Sequence, residues 1–86
     1  MADDIITLYT TEPCGFCRSA KALLRGRGIT YDEVNLSKDP DGRAALLERT
    51  GQMTFPQVIV GERSIGGFRE LLAAEREGRL VALLAA

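Results

Sequence analysis

Histidine is absent from this chain, and so is tryptophan. Without imidazole there is no Cys–His nucleophile pair within the chain and no histidine to ligate a metal. Without tryptophan, and with only three Phe and two Tyr, the aromatics are too few and too scattered to stack on nucleic-acid bases. Neither sign of charge dominates: 11 Lys and Arg against 12 Asp and Glu leave a net charge of −1. That balance points to neither nucleic acid nor an anionic membrane. No apolar run approaches the ~18–20 residues of a membrane span. The opening MADDIITLYTTE carries Asp3, Asp4 and Glu12 and has no apolar core of signal-peptide length. A cytoplasmic location is therefore expected. At 86 residues, 45% apolar and 27% charged, the chain is expected to form a single globular domain over 1–86 rather than a disordered tail.

What is present is one pair of cysteines, in the stretch EPCGFCRSAKALL, with no others in the chain. In a reducing compartment such a pair is more often catalytic or metal-binding than a structural staple. A structural zinc needs four ligands, and two Cys with no His supply half a set, so zinc would require a second chain. Two inert, packed thiols are the plain alternative.

The surrounding pattern places the pair. IITLYT (5–10) is rich in β-formers, with apolar residues on both faces as in a central strand, and Pro13 ends it. Residues 15–25 read as a helix with Phe16, Cys17, Ala20, Leu23 and Leu24 on one face and Arg18, Lys21 and Arg25 nearly opposite. The glycines Gly26 and Gly28 stop it. ITYDEVNL (29–36) reads as a half-buried edge strand. Asp39 reads as an N-cap with Pro40 at the first helical position, Leu46 and Leu47 facing the core, and Gly51 past the end. Residues 57–66 form a hairpin, with QVIV as a buried strand, GER as the turn and SIG opening its partner. A helix from Phe68, with Leu71 and Leu72 inward, ends at Gly78. The closing LVALLAA is expected to be a short helix docking Leu80, Leu83 and Leu84. The sum is an α/β, thioredoxin-like layout: a four-stranded mixed sheet flanked by helices.

In that layout Cys14 lies at the start of the first helix. Unpaired N–H groups and the partial positive charge at a helix start favour a thiolate over a thiol. The spacing puts both sulfurs on one side of the first turn, with Cys17 in the buried stripe. Cys14 then attacks a substrate disulfide, and Cys17 resolves the mixed disulfide, unless a small thiol does so. MTFPQVIV adds an extended Thr54-Phe55-Pro56 ahead of the third strand. A cis Phe55–Pro56 bond would bring its backbone beside Cys14; otherwise Pro56 is strand punctuation. Gly66-Gly67 before a helix is either an anion-binding turn or simply a tight one.

YTTEPCGFCRSAKALL, TFPQVIVG and IGGFREL, in this order and spacing, together resemble the glutaredoxin family over nearly the whole chain. The resemblance implies a thioredoxin-like fold, catalytic Cys14 and Cys17, a cis Pro56 and glutathione as reductant along a groove. The cysteine of glutathione would pair with the Phe55 backbone, and its γ-glutamyl end would reach Gly67, Phe68 and Arg69. The candidate glutathione residues are thus Thr11, Gln52, Thr54, Phe55, Pro56, Gly67, Phe68 and Arg69. Implied partners are glutathione and disulfide or glutathionylated proteins, with the protein acting as a monomer and contacting neither nucleic acid nor membrane.

The chain departs from the family at the two ends of that groove. Thr11 stands where most members have Lys, Gln52 and Met53 stand where a second cation is common, and Arg69 precedes Glu70 where acidic residues usually run. Weaker glutathione binding than the family norm is the expectation. Gly67-Phe68-Arg69 also resembles a run in electron-donor redoxins for ribonucleotide reductase, which thioredoxin reductase reduces. Cys-Gly-Phe-Cys is close to the Cys-Gly-Tyr-Cys of mycothiol-linked redoxins. It is also close to the Cys-Gly-Phe-Ser of monothiol members, which bridge a [2Fe-2S] cluster between two protomers through the first Cys and glutathione. Cys14 would be the ligand in that case, although the insertion usual before the monothiol Cys is missing. The stripe of Arg18, Lys21 and Arg25 is either a solvated helix face or a surface that steers anions toward Cys14.

Overall fold

The computed structural model describes residues 6–78. Ile5 and the expected closing helix, with Leu80, Leu83 and Leu84, lie outside them. Four strands and three helices follow one another along the described chain: β1 (Ile6–Thr10), α1 (Gly15–Gly26), β2 (Tyr31–Asn35), α2 (Pro40–Thr50), β3 (Gln57–Val60), β4 (Arg63–Gly66) and α3 (Phe68–Arg76). The sheet order is β2-β1-β3-β4. β1 runs parallel to β2 (Leu8 opposite Glu33) and antiparallel to β3 (Leu8 opposite Val58), and β3 pairs antiparallel with β4. This is the mixed sheet the sequence implies, with β1 and β3 inside and every residue of β3 buried.

Side-chain alternation divides the core in two. Ile6 and Leu8 of β1 and Val58 and Val60 of β3 face Ala20 and Leu24 of α1 and Leu71 and Ala74 of α3. Ile59, with Tyr9 and Phe55, meets Leu36, just past β2, and Leu46 of α2 on the other face. Period-2 strands bury both faces only when helices cover both, so this three-layer stack follows from the apolar QVIV run.

Caps fix where the helices begin and end. The Asp39 carboxylate accepts the Gly42 N–H at 2.9 Å ahead of Pro40. Gly51 closes α2 in the left-handed region at φ 75° and donates its N–H to the Leu47 carbonyl at 2.7 Å. Three expectations shift. β2 is confined to Tyr31–Asn35 and is largely exposed, because an edge strand at the sheet's rim has only one ladder. Arg63 belongs to β4 rather than to the turn. Leu47 and Leu72 are half-buried, leaving Leu46 and Leu71 to form the contacts.

Candidate active site

β1 ends at Thr10, and the chain reaches α1 through Thr11–Cys14, with the Glu12–Pro13 peptide cis. Cys14 takes extended dihedrals (φ −154°, ψ 105°) as the N-cap of α1. Its Sγ accepts the Cys17 N–H at 3.1 Å, as a capping oxygen would. In the thiol form it also donates to the Phe55 carbonyl at 3.9 Å. Losing the proton would forfeit the second bond and keep the first, which strengthens toward an anion. Cys14 is half-buried, and both cysteines are free thiols.

Cys17 lies one turn below, only 2% exposed. Burial first, then the hydrogen bond with Cys14, pushes its thiol up from 9.0 to about 11. A hydrogen bond from the Thr11 backbone and the charge of Lys21 act in the opposite direction. The two sulfurs therefore differ in the sense the spacing suggests: one accessible at the helix start, one covered and protonated.

Phe16 corrects the sequence reading. The helical period puts it on the inward stripe, yet it is 65% exposed. Phe16, Ala20 and Leu24 form one i, i+4 row, of which Ala20 and Leu24 are buried in the core and Phe16 is not. Its ring instead stacks on Phe68 of α3, centroids 5.9 Å apart and planes 25° from parallel.

The Phe55–Pro56 peptide is cis. Thr54, Phe55, Pro56, Gly67, Phe68 and Arg69 share one groove of about 300 Å³, which Phe16 and Glu70 also line. Two candidates lie elsewhere. Thr11 borders a larger polar groove of about 590 Å³ that both cysteines line, with Arg18, Lys21, Glu33 and Asn35. Gln52 lies beyond Phe55, in a hollow of about 260 Å³ with Met53 and Arg43. At the α3 start the Gly67 N–H is already taken: the Glu70 carboxylate accepts it at 2.7 Å.

Two structural partners of the site escaped the sequence reading. Gln57, the polar residue that opens QVIV, is buried. Its amide nitrogen donates to the Gln52 and Thr54 carbonyls, each at 2.9 Å, and its oxygen accepts the Thr50 hydroxyl at 2.9 Å. It thereby fastens the segment that carries Phe55 to Cys14. A polar residue opening an apolar strand was the available signal. The second is Glu33 of β2, which accepts the buried Thr10 hydroxyl at 2.8 Å and the Lys21 ammonium at 3.2 Å. Those two contacts, the hydroxyl first, hold its carboxyl below the usual range.

Comparison with known proteins agrees on one family. The glutaredoxin family model matches residues 6–65. A glutaredoxin of Pseudomonas aeruginosa is 41% identical over 81 residues, which are 94% of this chain and 96% of that protein. Glutaredoxin 3 of Escherichia coli is 34% identical, covering 92% and 95%. Among solved structures, the glutaredoxin of Brucella melitensis superposes with a TM-score of 0.86 at 39% identity, covering 99% of this chain and 92% of that one. A crystal structure of buckwheat glutaredoxin in complex with glutathione superposes with a TM-score of 0.85 at 34% identity, covering 94% and 76%.

Proposed function

This chain belongs to the glutaredoxin family, and on that premise we propose that it reduces protein disulfides and glutathione mixed disulfides with electrons from glutathione. The observation that carries the reading is the meeting of Cys14 with the Phe55 carbonyl at the head of a groove running along Pro56 to the start of α3. The thiolate of Cys14 attacks one sulfur of the substrate disulfide. A Cys14–substrate disulfide forms, the original bond breaks, and its electron pair leaves on the other sulfur, which takes up a proton. Cys17 then attacks Cys14 and releases the second thiol, or glutathione does so directly. Two molecules of glutathione return the enzyme to the dithiol and leave as glutathione disulfide.

In this reading Thr54, Phe55 and Pro56 hold the cysteine of glutathione in extended conformation, and Gly67, Phe68 and Arg69 receive its γ-glutamyl end. Glu70 occupies the first N–H of that helix start, and Thr11 and Gln52 bring no cation to the glycyl end. Both features favour a modest affinity for glutathione.

The test uses Cys17→Ser protein with a glutathione mixed disulfide, following turnover with glutathione and glutathione reductase; wild type is assayed separately with thioredoxin reductase. Brisk glutathione-driven turnover through Cys14 alone is the expected result. No such turnover, with reduction of the wild-type disulfide by thioredoxin reductase, would overturn the glutathione reading and make the chain an electron donor to an enzyme such as ribonucleotide reductase.

A further inference from the structure

Burial of Cys17 creates a chemical difficulty. Its thiol must lose a proton before it can attack Cys14, and the site that hides it from solvent opposes that loss. Lys21 lies one helical turn further along α1, and the i, i+4 spacing sets it beside Cys17, not opposite it as the division into an apolar face and a basic stripe has it. It borders the polar groove onto which both cysteines open. Three elements fix its position. The Lys21 ammonium meets Glu33 of β2 at 3.2 Å, and the same carboxylate oxygen accepts the hydroxyl of Thr10 of β1 at 2.8 Å. The charged and titratable groups of the groove are Glu12, Cys14, Cys17, Arg18, Lys21 and Glu33. Glu12 is engaged by the Asn35 amide at 2.9 Å. Lys21 and Cys17 line the same groove, and the positive charge of Lys21 acts on the Cys17 thiol against the larger effect of burial.

We propose that Lys21 is a positioning residue for the resolving step: its ammonium, held at the groove wall by Glu33, which Thr10 fastens in turn, favours the thiolate of Cys17 and speeds its attack on Cys14. The inference rests on the roles given above to the two cysteines. In the step itself the Cys17 proton passes to solvent in the groove. The resulting thiolate forms a bond to Cys14 Sγ, and the bond from Cys14 to the substrate sulfur breaks with its electron pair leaving on that sulfur.

The experiment needs no glutathione. Reduced protein is mixed with excess 5,5′-dithiobis(2-nitrobenzoate), the oxidant. Cys14 attacks it and releases one thionitrobenzoate; Cys17 then releases the second and closes the Cys14–Cys17 disulfide. The rate of the second release is recorded against pH for wild type, Lys21→Gln and Lys21→Arg. In Lys21→Gln the profile is expected to move up by about half a unit to one unit, so that release at neutral pH slows roughly three- to tenfold. Lys21→Arg should restore it, and the first release should be unchanged. A profile unmoved by Lys21→Gln overturns the proposal. So does equal slowing of both releases, which would make Lys21 a steering charge for Cys14. A second release that survives Cys17→Ser would refute the cysteine roles themselves. Loss of glutathione turnover alone would touch only the preceding proposal.

Discussion

At the scale of single residues, Gln57 holds in place the segment that brings Phe55 beside Cys14. A helix-start Cys with a partner three residues on, and a Pro before an apolar strand, announce themselves by type and spacing. Phe16 did not, because periodicity reports which side of a helix a residue occupies and not whether the core extends that far. Gln57 did not, because its role is to satisfy carbonyls that only the folded loop brings to it. Gln57→Leu keeps the size and leaves the Gln52 and Thr54 carbonyls without their donor. A loss of about 1–3 kcal/mol in urea unfolding is expected, together with slower turnover as Phe55 loosens from Cys14. Thr11→Lys acts at the other end of the site. A charge-assisted bond at a solvated position contributes less than the ~1.5–3 kcal/mol of a buried one. The KM for glutathione should therefore fall by roughly three- to tenfold with kcat little changed. An unchanged KM would mean that the glycyl carboxylate does not reach this residue.

Among the elements, the helix ends were the most readable part of the sequence, since capping is local chemistry. Asp39, Pro40 and Gly51 act where their types suggest. The start of α3 is subtler. Gly66 adopts φ +108°, and a Cβ there would stand 2.7 Å from the Glu70 side chain. The glycine thus serves twice, tolerating the backbone conformation and leaving room for Glu70 to fold back onto Gly67. Gly66→Ala meets both obstacles and should cost about 1–3 kcal/mol. Glu70→Ala, which removes only the cap, should cost about 1 kcal/mol. Comparing the midpoints of chemical denaturation for the two variants separates strain from capping; equal losses would show that the backbone is not strained. The strand boundaries were less readable than the caps, because β2 ends where its single neighbour ends and not where its β-forming residues do.

For the whole molecule, the layering was legible because a strand apolar on both faces demands helices on both sides. The position of the candidate groove relative to those layers was not. It depends on two distant segments, 14–17 and 54–56, arriving together at one end of the sheet. One property of the whole follows from the covered thiol. The folded state holds Cys17 protonated up to about 11, against an ordinary value of 9.0. A raised folded pKa adds stability that is fully present below the unfolded value and is lost as pH climbs through the folded one. The reduced protein should therefore lose stability between about pH 9 and pH 11. The Cys14–Cys17 disulfide form and Cys17→Ser should lack that component. Parallel thermal scans of the three forms across this range provide the measurement, and superimposable pH profiles would refute it. A further consequence concerns the rim of the sheet. β2, the outer strand, shows Asp32 and Glu33 to solvent, and β4 at the other border is four residues long, with a register shift where it meets β3. Open borders invite strands of other molecules to add on, and carboxylates, brevity and irregular pairing each discourage it. Two copies meeting through β2 would bring like charges together, so crowding alone should not drive this protein into fibres.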